Sequence, residues 1–475
     1  MSPNAGQRQS TNVPSTGWFF SGSGRSPAKT VEEPTLEPAL CHRHYSAFPN
    51  AYKEGVSRAQ EILDSREPIG WKLGLERMRR LSGLLGMPQN RFSSVHVVGT
   101  NGKTSVTRMI EALIEAHGVP AGAYVSPHIS SWHERVLIGG EPISEQAFEA
   151  ALERVEQSAG VADRSAGEEG PVTQFELVTA AAFWALAQAR VRVGVIEAGL
   201  GGRLDATNVI PSKVTVLTSV GLDHTEWLGK TLAEIAAEKL AVLRGHSTLI
   251  APPLAAEAEE VLQRERERRH ARVVRVSRRP QELGGREAPL ASGYPARNLA
   301  LAIAATRAAL GRFEPEAVAA ATPRLAVPGR AQMIEGDPPV IFDAAHNPDG
   351  ARALAETLPS LAAGRQVVCC LAVLAEKDAA AMIEALGSVC SRFVCTEVRD
   401  EVIRGSGRPI GSAYAAEELA QLCREAGAEA DAVTDALEAW SRARQLARER
   451  GGVALATGSH YLLGWLWTER RAASC

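Results

Sequence analysis

A short glycine-rich turn between a strand pattern and a helix pattern constrains this chain more than any other feature. Residues 95–105 read VHVVGTNGKTS, and apolar residues at helical spacing follow at Val106, Ile110, Leu113 and Ile114. At such a junction the backbone N–H groups of the helix N-terminus point at a bound anion, and the helix dipole adds partial positive charge. The segment therefore predicts a phosphate-binding loop that joins a strand to a helix.

Two side chains of this loop suit a bound triphosphate. Lys103 would reach the terminal phosphates, and the Thr104 hydroxyl would face a Mg²⁺ ion. The longer P-loop pattern has a glycine five residues before Gly102, where this chain has Val97, so only the short form GTNGKT is present. An ordinary glycine turn is the alternative, but GKT at a strand–helix junction is a much narrower signal than a lone glycine motif.

Strand patterns alternate with helix patterns through both halves of the chain, which at 475 residues is too long for one core. This alternation predicts an α/β fold with two doubly wound, mostly parallel sheets. The segment 327–330 (VPGR) is typical of a hinge. We expect a disordered leader at 1–40, a P-loop ATPase-like domain at 41–326 and a smaller C-terminal domain at 327–475.

Charge and composition exclude several classes of partner. The net charge of -3 gives no reason to expect nucleic acid or an anionic membrane. No apolar run approaches the roughly 20 residues that span a bilayer, and the N-terminus lacks the apolar core of a secretory signal. The seven cysteines have no paired spacing, which favours buried thiols in a reducing compartment. We therefore expect a cytoplasmic protein.

Further polar groups are predicted at the carboxyl ends of strands, where parallel sheets bind ligands. Glu197 ends a buried strand pattern, and a carboxylate there suits Mg²⁺, although a salt bridge to Arg203 is its alternative. His224 ends the next strand pattern. The polar loop at 126–135 is as consistent with ligand contact as with a solvated loop.

This set of residues suits phosphoryl transfer, in which positioning and charge neutralisation do most of the work. The second half has no P-loop, so its DAAHNP turn (343–348) and Arg330 are expected to close over the nucleotide. The residues alone therefore predict a two-domain, ATP-dependent enzyme assisted by Mg²⁺.

Nine motifs, in their order, resemble the folylpolyglutamate synthase/dihydrofolate synthase family of the Mur ligase superfamily. They are GTNGKTS, SPHISSWHERVLIGG, TQFELVTAAAFWAL, EAGLGGRLDATN, TSVGLDHTEWLGKTLAEIAAEK, PGR, DAAHNP, EKD and GSHYLLG, within about residues 45–468. The resemblance implies a Mur-ligase-like central domain and a Rossmann-like C-terminal ligase domain. It also implies a reaction: ATP phosphorylates a pteroate or folate carboxylate, and L-glutamate attacks the acyl phosphate to form an amide. Either dihydropteroate, a tetrahydrofolate or both remain open as substrates, and a monomer is expected.

The resemblance assigns nucleotide and metal contacts to matching residues. ATP would be held by Gly99, Thr100, Asn101, Gly102, Lys103, Thr104, Ser105, Asn298, Arg330 and Asp343. One or two Mg²⁺ ions would be held by Thr104, Ser126, Glu197 and His224.

It also assigns catalytic and substrate contacts. Lys103, Lys239 and His346 would act in catalysis, and Lys239 matches the family's carbamylated lysine. A carbamate beside two Mg²⁺ ions replaces a repelling ammonium with an attracting negative charge. The pterin substrate would lie near Ser126, Pro127, His128, Arg135, Arg203 and Asp205.

The chain departs from the family pattern in four places, of which two, EKLAV for EKAGI and DAAHNP for DGAHNP, are tolerable. The phosphate loop reads GTNGKTS where the family usually has GTNGKGS, and in SGYPARNLA (292–300) Tyr294 and Pro295 replace His-Gln while Asn298 remains.

Two other functions fit the sequence less well. A cell-wall ligase for UDP-muramoyl substrates would have a uridine-binding domain of about 80–100 residues before the P-loop, where about 50 ordered residues are expected here. A nucleotide-binding regulator without catalysis would have lost metal or phosphate ligands, yet Lys103, Thr104, Glu197, His224 and Asp343 are all present.

Overall fold

The structure is a computed structural model that describes residues 57–66, 74–276, 292–405 and 412–472. The predicted leader at 1–40 lies outside the described residues. No helix in the described ranges has both the length and the apolarity needed to cross a membrane.

The first half of the described chain is built on an eight-stranded sheet. Its strands are β1 (Ser93–Val98), β2 (Ala121–Tyr124), β3 (Val136–Ile138), β4 (Glu141–Pro142), β5 (Val193–Glu197), β6 (Val214–Leu217), β7 (Thr248–Ala251) and β8 (Arg272–Arg275). Their order is β4-β3-β2-β5-β1-β6-β7-β8, and only β3 and β4 run antiparallel to their neighbours. Val97 pairs with Glu197 and Val98 pairs with Leu217, so β1, β5 and β6 end side by side. The loops that follow these three strands therefore lie together at the carboxyl ends of the strands.

Helices cover both faces of this sheet. They are α1 (Arg58–Asp64), α2 (Glu76–Leu84), α3 (Lys103–Ala116), α4 (Glu145–Arg164), α5 (Gln174–Gln188), α6 (Thr225–Leu228), α7 (Leu232–Leu240), α8 (Ala256–Arg269), α9 (Gly293–Leu310) and α10 (Glu316–Leu325). Short 3₁₀ turns lie at Pro88–Asn90, Trp132–Arg135 and Ala206–Val209. The apolar residues predicted to follow the phosphate loop are buried, and Ile110 and Leu113 of α3 share a core with Leu299 of α9.

The second half is built on a six-stranded sheet. Its strands are β9 (Gln332–Ile334), β10 (Val340–Phe342), β11 (Val367–Leu371), β12 (Cys390–Cys395), β13 (Ala430–Ala432) and β14 (Val453–Thr457). Their order is β13-β12-β11-β14-β10-β9, and only β9 is antiparallel. The flanking helices are α11 (Pro348–Leu361), α12 (Ala379–Gly387), α13 (Asp400–Gly405), α14 (Ala416–Glu425), α15 (Ala436–Glu449) and α16 (His460–Ala472).

The prediction of two doubly wound, mostly parallel sheets is confirmed, since each sheet has buried apolar clusters on both faces. The strands that the sequence patterns did not reveal are mostly short edge strands: β8 reads RVVR and β9 reads QMI, and both are only partly buried. Edge strands lack the continuous apolar pattern of central parallel strands because one side faces solvent. Cys369, Cys370 and Cys395 are buried free thiols in the second sheet, as predicted.

Candidate active site

The phosphate loop has a backbone that requires glycine at two positions. Gly102 caps α3 in the left-handed region with φ 85°, and a Cβ there would lie 2.8 Å from Oδ1 of Asn298. A Cβ on Gly99 would overlap the hydroxyl of Thr218. The hydroxyl of Thr100 donates to the carbonyl of Gly221 (3.1 Å), so the segment after β6 braces the loop. Asn298 therefore lies against the loop, as the resemblance implies.

Thr104, Ser126 and Glu197 meet directly beside the loop. The Thr104 hydroxyl donates to Oε1 of Glu197 (2.9 Å), and the Ser126 amide donates to Oε2 (3.0 Å). Thr104 and Ser126 follow β1 and β2, and Glu197 is the last residue of β5; the carboxyl ends of these strands are adjacent. Glu197 has no salt bridge to Arg203, which instead pairs with Glu238 at 2.9 Å. The structure thus brings together three of the four predicted metal ligands.

Burial controls the charges at this cluster. It raises the pKa of Glu197 to about 7, although Lys103 acts in the opposite direction. Burial also lowers the pKa of Lys103, whose ammonium donates to the carbonyl of Thr100 (3.2 Å). A buried carboxylate beside the Thr104 hydroxyl is a donor set that hard cations such as Mg²⁺ accept, with phosphate oxygens completing the shell. Among the described residues no three His, Cys, Asp or Glu side chains are arranged to hold a metal.

The hydrogen bonds among Thr104, Ser126 and Glu197 do not include His224. It has φ 50° and begins α6, and its ring lies 3.9 Å from the carboxylate of Asp223. Burial lowers the pKa of His224 to about 3, so the imidazole is neutral and has a free lone pair. Its assignment to a metal stays a prediction.

Lys239 is buried under the phosphate loop. Its ammonium donates to the carbonyl of Gly99 (3.1 Å), and only 3% of the residue is exposed. Burial, together with the charge of Lys103, lowers its pKa to about 7. A helical pattern alone would suggest a surface lysine at this position, but Lys239 is buried.

Asp223 connects the two halves of the molecule. Its carboxylate accepts from Lys377 Nζ (2.6 Å) and from Asn347 Nδ2 (2.9 Å), and His346 lies 3.7 Å away. Burial alone would raise its pKa, but its electrostatic interactions with His224, Lys377 and His346 lower it. Asn347 also exchanges side-chain hydrogen bonds with Asn101 of the loop (3.1 Å).

His346 and Asp343 lie in the turn after β10. Nδ1 of His346 faces the carbonyl of Ala344 at 2.9 Å, and burial lowers the pKa of this histidine to about 4. Asp343 is buried and accepts from the amide of Ala345 (2.8 Å) and from the hydroxyl of Tyr294. Arg330 donates to the carbonyl of Ala344 (3.3 Å), so the three predicted nucleotide contacts of the second half are neighbours.

The loop after β2 begins with a cis peptide bond between Ser126 and Pro127. Arg135 is buried, donates from Nε to Nδ1 of His128 (3.0 Å) and stacks on Trp132 at 4.2 Å. Because burial lowers the pKa of His128, its ring is a neutral acceptor for this bond. The loop is therefore an ordered structure and not a solvated coil.

Asp205 and Arg203, which are predicted to lie near the pterin, have different surroundings. Asp205 is buried and accepts from the amides of Leu200 (2.9 Å) and Thr207 (2.9 Å), so it holds the GLGGRLDATN turn together. Arg203 is largely exposed in its pair with Glu238. The structure brings neither side chain into the cluster around Glu197, and their substrate roles stay predictions.

Comparisons with known proteins cover most of the chain. The Mur ligase middle domain matches residues 97–291, and the Mur ligase glutamate ligase domain matches residues 329–460. The dihydrofolate synthase/folylpolyglutamate synthase of Mycobacterium tuberculosis is 36% identical over 71% of this chain and 77% of its own length. The enzyme of the same name from Bacillus subtilis is 31% identical over 70% of this chain and 82% of its own length. This chain belongs to the dihydrofolate synthase/folylpolyglutamate synthase family.

Solved structures of the family have the same fold. The M. tuberculosis folylpolyglutamate synthase complexed with ADP superposes with a TM-score of 0.77 at 32% identity, covering 86% of this chain and 97% of the other. E. coli FolC in complex with DHPP and ADP gives 0.75 at 28%, covering 88% and 99%. A bifunctional family member with Mn, AMPPNP and L-glutamate bound gives 0.73 at 27%, covering 87% and 98%.

Sequence reasoning missed the residues that join the halves of this family member. Lys377 belongs to the EKD motif and Asn347 to DAAHNP, but neither was given a role. Both motifs lie in the second half, which has no P-loop of its own. That combination was the sequence signal that these motifs contact the first half. Their shared partner, Asp223, is 124 residues from Asn347 and 154 from Lys377 along the chain.

Proposed function

We propose that this chain is an ATP-dependent ligase that joins L-glutamate to dihydropteroate, to a tetrahydrofolate or to both, through an acyl phosphate. One observation carries the proposal: Lys103, Thr104 and Glu197 converge on a phosphate loop in a chain that spans 77% of a family member 36% identical to it. Relatives with ADP, AMPPNP, DHPP and L-glutamate bound support the choice of substrates.

ATP binding falls to residues of both halves. The N-terminal amides of α3 and the ammonium of Lys103 would hold the phosphates. Asn298, whose buried Nδ2 has no hydrogen-bond partner among the described residues, would hold the adenine side. Asp343 and Arg330 would approach from the second half. A buried donor without a partner supports a ligand contact at Asn298 because such groups are normally satisfied.

Thr104, Ser126 and Glu197 would hold Mg²⁺, with His224 as a further ligand. Bound Mg²⁺ would neutralise charge on the phosphates as the γ-phosphoryl group moves to the substrate carboxylate. Glu197 would then be ionised, since a nearby cation offsets the burial that raises its pKa. A related structure with Mn bound supports a divalent metal in this fold.

Lys239 would carry a carbamate. Its pKa of about 7 leaves a substantial fraction of neutral amine, and only the neutral amine can add CO₂. The resulting carboxylate would lie beneath the phosphate loop, where Lys239 contacts the carbonyl of Gly99.

The second half would complete the site after closure. Because the carbonyl of Ala344 can only accept, the facing Nδ1 of His346 carries the ring proton, which leaves Nε2 able to take a proton from the attacking amino group of L-glutamate. The amide forms as phosphate leaves the acyl phosphate. Arg135 and His128, in the ordered loop after β2, would contact the pterin substrate.

Glutamate-dependent ADP release tests the proposal. The purified protein is incubated with ATP, Mg²⁺ and L-glutamate, and with dihydropteroate or a tetrahydrofolate. We expect ADP release above background with at least one of these two substrates. The substrate that supports ADP release identifies which activity is present. Background rates with both would refute the proposed function, and turnover only with a UDP-muramoyl substrate would favour the cell-wall ligase.

Lys103→Ala tests the phosphate-loop assignment, with Lys230→Ala as its control. Loss of its charge at the γ-phosphate should lower turnover by a factor of about 100 or more. Lys230→Ala removes an exposed lysine before α7 and should leave turnover unchanged. If both variants had the same turnover, the phosphate-loop assignment would fail.

A further inference from the structure

A cavity of about 910 Å³ opens where the parallel strands of the first sheet begin. Its wall includes Ser94 of β1, Val193 of β5, Val214 of β6 and Thr248 of β7, each the first or second residue of its strand. The phosphate loop follows the other end of β1. Parallel sheets bind ligands at their carboxyl ends, so the proposed ligase reaction does not account for this cavity.

The charged side chains in the described wall are basic. Arg79, Lys213, Arg244 and His246 line the cavity, and no aspartate or glutamate is among the described lining residues. Arg79 is exposed and paired with Glu76, which leaves Lys213 and Arg244 as the main uncompensated cations. The last turn of α9 contributes a partial negative charge of about half a unit, which these two cations outweigh.

Arg244 is fixed in the wall by neutral acceptors. Its Nη2 donates to the backbone carbonyl of Asn208 (2.6 Å), to Oδ1 of the same residue (2.8 Å) and to the carbonyl of Ile210 (3.0 Å). Within the described ranges no carboxylate pairs with it. Burial lowers its pKa, and the neighbouring charges of Arg269 and Arg79 lower it further. A preorganised guanidinium without a counter-charge is suited to a carboxylate or phosphate group.

Three polar groups of the same wall lack hydrogen-bond partners within the described part of the chain. They are the hydroxyls of Ser94 and Ser212 and the side-chain carbonyl of Gln89, in residues that are 4%, 2% and 3% exposed. More than nine in ten buried polar groups in proteins are satisfied. Of these groups, the two serine hydroxyls can donate to an anion in the cavity, whereas the amide oxygen of Gln89 can only accept.

We propose that this cavity binds a small organic anion, with an apolar body against Val193, Val209 and Val214 and a phosphate or carboxylate beside Arg244 and Lys213. The volume lies within the range of about 300–1,000 Å³ that small-molecule sites have. Apolar lining residues with a few convergent polar groups are typical of such sites. This site is additional to the proposed ligase centre and does not depend on it.

Equilibrium dialysis of the full chain with 1-naphthyl phosphate tests the site. Saturating ADP is present so that the phosphate loop is occupied. We expect one saturable site per chain, and binding of the uncharged 1-naphthol at least about tenfold weaker. A parallel arm with 1-naphthoate decides between a phosphate and a carboxylate ligand, and saturable binding of either supports the site. Absence of saturable binding for both anions, or equal binding of 1-naphthol, would overturn it.

A pair of charge reversals locates the binding. Lys213→Glu reverses the charge of a basic residue in the cavity wall. Arg192→Glu reverses the charge of an exposed arginine directly before β5, which lies at the same end of the strands but is not part of the wall. Lys213→Glu should raise the Kd for the bound anion by about tenfold or more, whereas Arg192→Glu should change it by less than about twofold. Equal effects of the two would place the anion elsewhere. Ligase turnover should be unchanged in both variants, which separates this test from that of the proposed function.

Discussion

The hydroxyl of Tyr294 on α9 donates a hydrogen bond to the carboxylate of Asp343 at the end of β10. Oδ2 of this carboxylate also accepts from the amide of Ala331 (2.7 Å), and Oδ1 accepts from Ala345 (2.8 Å). Burial raises the pKa values of both Asp343 and Tyr294. The bond therefore ties a helix of the first half to the turn proposed to contact ATP.

Tyr294→Phe should loosen this connection. The change removes one donor from a buried carboxylate, which costs about 1.5–3 kcal/mol for a hydrogen bond to a charged group. We expect a lower free energy of unfolding in urea and a KM for ATP raised severalfold, with a smaller change in kcat. Tyr414→Phe is the control, because its hydroxyl makes only a 3.5 Å contact with the carbonyl of Lys377. A Tyr294→Phe enzyme with the wild-type KM for ATP and the wild-type stability would show that the hydrogen bond does not position the turn that carries Asp343.

The ion pair between Lys377 and Asp223 should stabilise the contact between the halves. Both side chains are 8% exposed, so Lys377→Met leaves a buried carboxylate without its main counter-charge and should cost about 3–5 kcal/mol. The double variant Asp223→Asn/Lys377→Met should recover part of this loss, measured as a double-mutant cycle in urea. Arg312→Met, which breaks an exposed pair, should cost less than about 1 kcal/mol. Strict additivity of the two single changes would contradict a direct interaction.

Glu111 on α3 should make stability depend on pH. Burial raises its pKa to about 7 even though the amide of Gly140 donates to it (2.6 Å). The folded protein therefore holds a proton that the unfolded chain releases, and this contribution to stability is lost as the pH rises from about 4.5 to about 7.

Glu111→Gln should remove this penalty. At pH 8 the variant should be more stable than the wild type by up to about 3 kcal/mol, and near pH 4.5 the two should be equal. Urea unfolding at both pH values measures the difference. Glu115→Gln, a partly exposed neighbour on α3 that also accepts from a backbone amide, should show a much smaller dependence. A constant difference across this pH range would disprove the link to Glu111.

Lys239 should take up labelled carbon dioxide. In ¹³C-bicarbonate the protein should give a carbamate NMR signal that grows as the pH rises from 6 to 8 through the pKa of about 7, because the amine becomes neutral. Lys239→Arg should lose the signal and at least about tenfold in turnover. Lys230→Arg should keep both. A signal that persists in Lys239→Arg would assign the carbamate to another lysine.

Local patterns carried much of the information about this protein. The apolar runs of β5, β6 and β11 and the helical spacing after Gly102 determine two doubly wound sheets, because central parallel strands are buried on both faces. The GTNGKTS turn, with the SPH and GLGGRLDATN segments, indicates a nucleotide site and the family. Thr104 and Glu197 could be assigned to one site from sequence because parallel strands bring their carboxyl ends to one edge.

Only the tertiary structure decided which charges are buried and which distant residues meet. Arg203 and Asp205 are two positions apart, yet one forms an exposed pair with Glu238 and the other is enclosed by backbone amides. No local pattern predicts that Asp223 meets Lys377, or that Tyr294 meets Asp343, because these contacts depend on how residues of the two sheets pack together. The pKa of Lys239 follows from the same cause, since desolvation is a property of the packed environment and not of the helix that carries the residue.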